Sequence, residues 1–143
     1  MLIERVDCTQ AVRAYIGLGA HAPLCASASG KAVLALLSSA EIDRVIAAGL
    51  PKYTDRTIVD EAALRADLAS TRRRGYARNT GEWRRDVAAV AAAVRGDDGL
   101  PLGAINVSAP ASRTTEADLR RSGQLLLRAC AAVEERLGLR RRP

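Results

Sequence analysis

Apolar residues along the chain either alternate with polar ones or recur every three to four positions, and the pattern predicts nine elements. Two strands are expected near the N-terminus, at 2–6 and 11–16, with a turn between them. Three helices, three strands and a long helix follow. We expect these seven elements at 28–37, 40–48, 61–74, 76–79, 86–94, 102–108 and 116–137.

Short polar residues and glycines mark the ends of the predicted helices. Ser38-Ser39-Ala40-Glu41 has the pattern of a capping box, and Asp60 and Gly75 delimit the third helix. Either Ser27 or Ser29 can cap the first helix. The order β-β-α-α-α-β-β-β-α predicts an α+β fold, in which helices pack on an antiparallel sheet.

Composition agrees with a globular domain and argues against several other classes of protein. The chain has 143 residues, of which 48% are hydrophobic, so it can bury a core without disulfides or metals. No apolar run reaches the ~18 residues of a membrane span. The three cysteines are widely spaced, which argues against a disulfide framework or a zinc site. We therefore expect a cytoplasmic protein without a metal, a cofactor or a membrane partner.

The net charge of +6 comes almost entirely from arginine. Two basic runs stand out, Arg72-Arg73-Arg74 and Arg140-Arg141-Arg142. Such runs can contact phosphate groups of nucleic acids, or they can complement the negative C-terminal ends of helices. The sequence leaves both interpretations open.

Two short patterns resemble catalytic or nucleotide-binding motifs. Ser29-Gly30-Lys31 resembles the end of a phosphate-binding loop, but the first glycine of that motif and its final Ser or Thr are missing. Cys25 and His21, the only histidine, could form a nucleophile pair. No carboxylate is placed to orient the histidine, and a buried structural cysteine is the simpler interpretation. We therefore do not expect an enzyme.

The predicted strand at 102–108 alternates in an unusual way. Asn106 and Ser108 share a face with Leu102 and Ala104, while Ile105 points to the other face. Two polar side chains on a half-apolar face are costly to bury without partners. That face is therefore either exposed to solvent or part of a pocket for a polar ligand.

Several of these segments together resemble the IclR-type transcriptional regulators. Residues 22–35 are similar to the family's Pro-Leu-His-Ala-x-Ala-x-Gly-Lys-Ala stretch, with Cys25 in place of the histidine. Further blocks follow in the family's order and spacing, at 53–58, 72–77, 81–82, 91–94 and 107–113.

The resemblance covers the whole chain and implies a GAF-like effector-binding domain, a single unit over residues 1–143. The family's winged helix-turn-helix domain is absent, as are the first helix and strand of the effector-binding domain. We therefore expect a fragment that is truncated at its N-terminus.

The resemblance also implies that the domain binds a small organic acid or related metabolite and thereby controls DNA binding by a linked helix-turn-helix domain. Homo-oligomers, dimers or tetramers, are implied, with operator DNA contacted only through the missing domain. Backbone N–H groups of Ser29 and Gly30 would receive the carboxylate. By aligned position, the effector pocket consists of Ala11, Ala14, Ala28, Ser29, Asn79, Val87, Ala89, Asn106 and Ser108.

Departures from the family pattern leave the identity of the effector open. The family often has Asp where Asn79 stands, a small residue where Asp86 stands, and Ser or Thr where Asn106 stands. The alanines of the pocket predict an effector the size of a ring or a sugar acid. Two other functions stay open: a stand-alone module for oligomerisation or nucleic-acid binding, and an enzyme that depends on Cys25.

Overall fold

The computed structural model describes residues 1–11 and 13–139. In this part of the chain four helices and three strands follow a long N-terminal segment without regular structure. They are α1 (Ala28–Leu34), α2 (Ser39–Ala47), α3 (Glu61–Arg74), β1 (Ala77–Thr80), β2 (Val87–Arg95), β3 (Pro101–Pro110) and α4 (Glu116–Arg136). The combination of an antiparallel sheet with helices confirms the α+β prediction.

The three strands form one antiparallel sheet in the order β1-β2-β3. The register places Asn79 of β1 opposite Ala89 of β2, and Ala89 opposite Ser108 of β3. Asn106 lies opposite Ala91, two residues further along β2. Because side chains of a strand alternate between faces, these residues share one face of the sheet.

The two faces of the sheet are covered by different helices. On one face α4 packs through a cluster that includes Tyr76, Val90, Leu119, Leu126 and Cys130. On the other face α1 packs through a cluster made of alanine, namely Ala28, Ala32, Ala77, Ala89 and Ala91. Such short side chains allow α1 to lie close to the sheet. Within the described ranges, no helix is long and apolar enough to cross a membrane.

Helices α2 and α3 form a further layer on α1, held by a third apolar cluster around Leu34, Leu64 and Leu68. The predicted ends of these helices are confirmed. Ser38 forms the capping box of α2 with Glu41. Asp60 caps α3, and Gly75 ends it with a φ of 82°. Of the two candidate serines before α1, Ser27 is the cap.

The prediction of two N-terminal strands is wrong for the described residues, because neither 2–6 nor 11–16 forms a ladder with the sheet. Leu2 instead bonds to Ala20 and Gly19 through its backbone N–H and carbonyl, at 2.9 and 2.8 Å. β-branched residues favour a strand only where a paired strand supplies cross-strand contacts, and none does so here. Helix α1 also ends earlier than predicted, at Leu34.

Candidate functional site

A pocket opens between the alanine-covered face of the sheet, the start of α1 and the N-terminal segment. Its volume is about 450 Å³, which includes the solvent at its mouth. All the pocket residues predicted from the sequence line this cavity except Ala11. Ala11 is exposed in a bend, because the strand expected to carry it does not form. Ala14, in the same segment, does reach the pocket.

The floor of the pocket comes from one face of the sheet. Asn79, Ala89 and Ser108 form a row across the three strands, with Val87 and Asn106 beside it. The Nδ2 group of Asn106 donates to Ser108 Oγ at 3.2 Å. The alternation predicted for this strand is therefore correct, and its polar face lines a pocket.

Asn79 is buried, and both its amide nitrogen and its amide oxygen form hydrogen bonds. Its Nδ2 donates to the carbonyl of Ala26, and its Oδ1 accepts from the backbone N–H of Glu82 at 3.2 Å. The side chain thus joins β1 to the loop before α1 and to the loop after β1. Half of its hydrogen-bonding capacity, one donor and one acceptor site, is therefore used within the protein.

The start of α1 forms one wall through Ala28 and Ser29. Ser27 Oγ accepts from the backbone N–H of Gly30 at 3.0 Å and donates to the carbonyl of Pro23 at 2.7 Å. The expectation that Gly30 N–H receives a carboxylate is therefore corrected, since that donor already has an acceptor. Gly30 has a packing role instead, because a Cβ there would lie 2.3 Å from the carbonyl oxygen of Leu24.

Lys31 lies on α1 and is 1% exposed. Its Nζ contacts both carboxylate oxygens of Glu82 at 2.7 Å and an oxygen of Asp67 at 3.0 Å. Burial raises the pKa of Glu82, while the Lys31 ammonium opposes that shift. The Ser-Gly-Lys pattern therefore supplies a buried ion pair that joins α1, α3 and the loop after β1.

That loop carries two residues of the pocket wall, Trp83 and Arg84, and neither belongs to the set of pocket positions predicted from the sequence. The guanidinium of Arg84 lies over the ring of Trp83, at 4.8 Å from its centroid. Its Nη1 donates to the carbonyl of Tyr15 at 2.6 Å, which ties the N-terminal segment to the pocket. The nearby Gly81-Glu82 block was the only sequence signal for this loop.

Threonines on the segment between α2 and α3 hold this loop in place. Thr54 Oγ1 donates to the carbonyl of Gly81 at 2.6 Å. Thr57 Oγ1 donates to the carbonyl of Glu82, also at 2.6 Å. Together with the Lys31 ion pair, these bonds fix the backbone that positions Trp83 and Arg84.

Cys25 and His21 do not make a catalytic pair. Cys25 is buried, and burial raises the pKa of its thiol, which disfavours the nucleophilic thiolate. His21 is exposed. Among residues 1–11 and 13–139, no group of three or more His, Cys, Asp or Glu side chains could hold a metal ion.

The arginines of the first basic run, Arg72-Arg73-Arg74, form hydrogen bonds at or near the ends of helices. Arg72 Nε donates to the carbonyl of Ala35 at 2.6 Å, just past the end of α1. Arg73 and Arg74 bond to Ser70 and to Thr71 within α3. These contacts favour the helix-end interpretation over a phosphate-binding face. The second run, Arg140-Arg141-Arg142, lies outside the described residues.

The sequence profile of the family described as "Bacterial transcriptional regulator IclR C-terminal" matches residues 1–134. The transcriptional repressor IclR of Escherichia coli (strain K12) is 34% identical over 134 residues, which are 93% of this chain and 49% of the repressor. The chain thus spans about half the length of this relative.

Solved structures agree with this match. The crystal structure of Thermotoga maritima IclR has a TM-score of 0.89 and 25% identity, covering 94% of this chain and 55% of that one. The inducer-binding domain of the PobR transcription factor from Acinetobacter, a double mutant in complex with 3-hydroxybenzoic acid, has a TM-score of 0.74 and 30% identity. The matched region covers 82% of this chain and 67% of the PobR chain. Sequence and fold therefore agree that this chain belongs to the IclR family of bacterial transcriptional regulators, of which it contains the C-terminal domain.

Proposed function

We propose that this domain senses a small organic acid, which binds between α1 and the sheet and controls DNA binding by a helix-turn-helix domain of the same regulator. The observation that carries the proposal is the composition of the pocket wall. It combines small apolar side chains with neutral polar groups and a single cationic side chain among the described residues. Such a cavity, mostly apolar with a few polar groups, is typical of small-molecule sites.

Polar groups in the pocket retain hydrogen-bonding capacity for a ligand. Asn106 and Ser108 bond to each other, which leaves one amide hydrogen, the amide oxygen and the hydroxyl hydrogen available. Ala28 and Ser29 open α1, and the first N–H groups of a helix have no partner within it. These donors and acceptors suit the oxygen atoms of an organic acid.

The size of the pocket favours an acid with a ring or a sugar-sized body. Ala14, Ala28 and Ala89 leave space that larger side chains would fill. Trp83 adds an aromatic side chain to the wall. The double mutant of the related PobR domain binds 3-hydroxybenzoic acid, which has such a body.

A thermal-shift screen with glyoxylate, pyruvate, gluconate and 3-hydroxybenzoate tests the proposal. An acid at about 100 times its Kd is expected to add about 2.7 kcal/mol to the free energy of unfolding. We expect a larger stabilisation by gluconate or 3-hydroxybenzoate than by the two smaller acids. No stabilisation by any of the four would overturn the proposal, and tighter binding of the smaller acids would overturn its size argument.

Substitutions in the pocket wall then locate the binding. Ser108→Ala removes one hydroxyl from the floor and is expected to weaken binding about fivefold, the value of one neutral hydrogen bond. Ala89→Leu is expected to abolish binding of the larger acids by filling the pocket. Ser112→Ala is the matched control, because Ser112 is exposed beyond β3 and does not line the pocket.

A further inference from the structure

Arg84 is the one charged side chain among the described residues that line the pocket. We propose that Arg84 binds the acid group of the effector and thereby fixes its orientation, with the acid at the mouth of the pocket and the body against Ala89 and Ser108. The inference rests on the proposed function and adds the residue that selects for a negative charge.

The guanidinium of Arg84 is held in a defined orientation. Its Cζ lies over the ring of Trp83, and its Nη1 donates to the carbonyl of Tyr15. An arginine has five N–H donors in a rigid fork, and Tyr15 is the acceptor that the described residues supply. The remaining donors are available for the two parallel hydrogen bonds that a carboxylate accepts.

Two other cations near the pocket are paired with carboxylates of the protein. Lys31 is buried against Glu82 and Asp67. Arg85, the next residue in the chain, pairs with Asp55 at 3.1 Å and does not line the pocket. No acidic side chain lines the cavity in the described part of the chain, so the charge of Arg84 has no competing anion there. A carboxylate that enters the pocket therefore meets Arg84 as its opposite charge.

The neutral polar wall cannot provide the same selectivity. Neutral hydroxyl and amide donors bond to a neutral amide ligand as well as to a carboxylate, whereas a guanidinium adds a full opposite charge and a two-pronged geometry that fits only the carboxylate. Discrimination between an acid and its amide is thus the property that Arg84 controls.

Isothermal titration calorimetry with matched acids and amides tests this role. The pairs are glyoxylate, pyruvate, gluconate and 3-hydroxybenzoate, each with its primary amide. For the acids that bind, we expect wild-type protein to prefer the acid over the amide by about tenfold or more, the value of a charged hydrogen bond. In Arg84→Gln this preference is expected to disappear, while the affinity for the amide is unchanged.

Two further variants make the result specific. Arg85→Gln removes the same charge one residue away and is expected to keep the acid preference. Arg84→Lys keeps the charge but loses the planar fork, so an intermediate preference is expected. The fluorescence of Trp83, the only tryptophan in the sequence, provides a second measurement of gluconate binding. The ring lies beside Arg84, so a ligand bound to Arg84 is expected to change its emission.

The outcomes separate the two proposals. An acid that binds wild-type and Arg84→Gln protein with equal affinity overturns the role of Arg84 and leaves the proposed function standing. Equal loss of affinity in Arg84→Gln and Arg85→Gln also overturns it, because a general charge effect would then explain the preference. Absence of binding by all four acids overturns the proposed function, and this inference with it.

Discussion

Asn79 and Asn106 are both amides on the floor of the pocket, but their hydrogen bonds give them different roles. Asn79 is 5% exposed and joins two loops to β1 through Ala26 and Glu82. Asn106 is exposed, and among the described residues its side chain bonds to Ser108 alone. Asn79 therefore shapes the pocket, while Asn106 is free to contact a ligand.

Asn79→Ala is expected to lower the free energy of unfolding by about 1–3 kcal/mol, because a buried carbonyl and a partly buried N–H lose their partners. Urea denaturation measures the loss. Asn106→Ala is the control and is expected to change stability by less than about 0.5 kcal/mol, as for most exposed positions. Equal losses in the two variants would contradict the structural role of Asn79.

Lys31 is the other residue whose burial determines its role. Lys31→Met removes the cation that contacts Glu82 and Asp67, and only the more distant Arg74 still pairs with Asp67, at 4.0 Å, among the described residues. The substitution is expected to cost about 3–5 kcal/mol of stability at pH 7. Lys52→Met is the control, since Lys52 is the only other lysine and its side chain is 62% exposed. A similar loss in both variants would show that the buried ion pair contributes little.

The cost of Lys31→Met is expected to depend on pH. The pKa of Glu82 is raised above its ordinary value of 4.5 by burial, and loss of the lysine raises it further. Folded protein then takes up this proton at a higher pH than unfolded chain does, so the variant regains stability as the pH falls from 7 towards 4.5. Urea denaturation of wild type and variant at pH 7 and pH 5 measures the difference. A loss of stability in Lys31→Met that is unchanged or larger at pH 5 contradicts the predicted pH dependence.

At the scale of the elements, α4 packs a glycine against the residue that precedes β1. A Cβ at Gly123 would lie 2.6 Å from the ring of Tyr76, whereas a Cβ at Gly103 of β3 would have no atom within 4 Å. The contact between α4 and the sheet therefore depends on the missing side chain. Helix propensity alone would favour alanine at position 123.

Gly123→Ala is expected to destabilise the protein by about 1–3 kcal/mol, because the clash with Tyr76 outweighs the gain in helix propensity. Gly103→Ala, the matched control, is expected to be neutral or stabilising by about 0.5–1 kcal/mol. Thermal unfolding of both variants measures whether each substitution stabilises or destabilises the protein. Stabilisation by Gly123→Ala would mean that α4 shifts without cost.

For the whole molecule, the exposed edge of the sheet bears on self-association. β3 is an edge strand in the described part of the chain, and its ten residues carry no charge. Leu102 and Val107 on this strand are 62% and 46% exposed. Uncharged edge strands favour pairing with another strand, so we expect the chain to self-associate through β3.

Sedimentation velocity at micromolar concentration is expected to show dimers or larger species. Val107→Lys places a charge on β3 and is expected to shift the equilibrium towards monomer. Val59→Lys is the control, because Val59 is 51% exposed on the loop before α3. A wild-type chain that sediments only as monomer contradicts the prediction, and an equal effect of both lysines excludes β3 as the interface.

The sequence by itself determined the local features of this fold. Capping residues such as Ser38 and Asp60 were predictable, because a cap depends on hydrogen bonds within a few residues. The alternation that places Asn106 and Ser108 on one face was also predictable, because successive side chains of a strand point to opposite faces. Family resemblance then supplied the pocket positions on the sheet and α1, and the structure brings these together.

Only the tertiary structure decided the features that depend on contacts between distant segments. It left 2–6 without a strand, because strand formation requires a partner that local pattern does not specify. It joined Asn79 to Ala26 across 53 residues of the chain. It also placed Arg84 on the pocket wall beside Tyr15. Each of these contacts joins backbone or side-chain groups whose meeting depends on the packing of the whole domain.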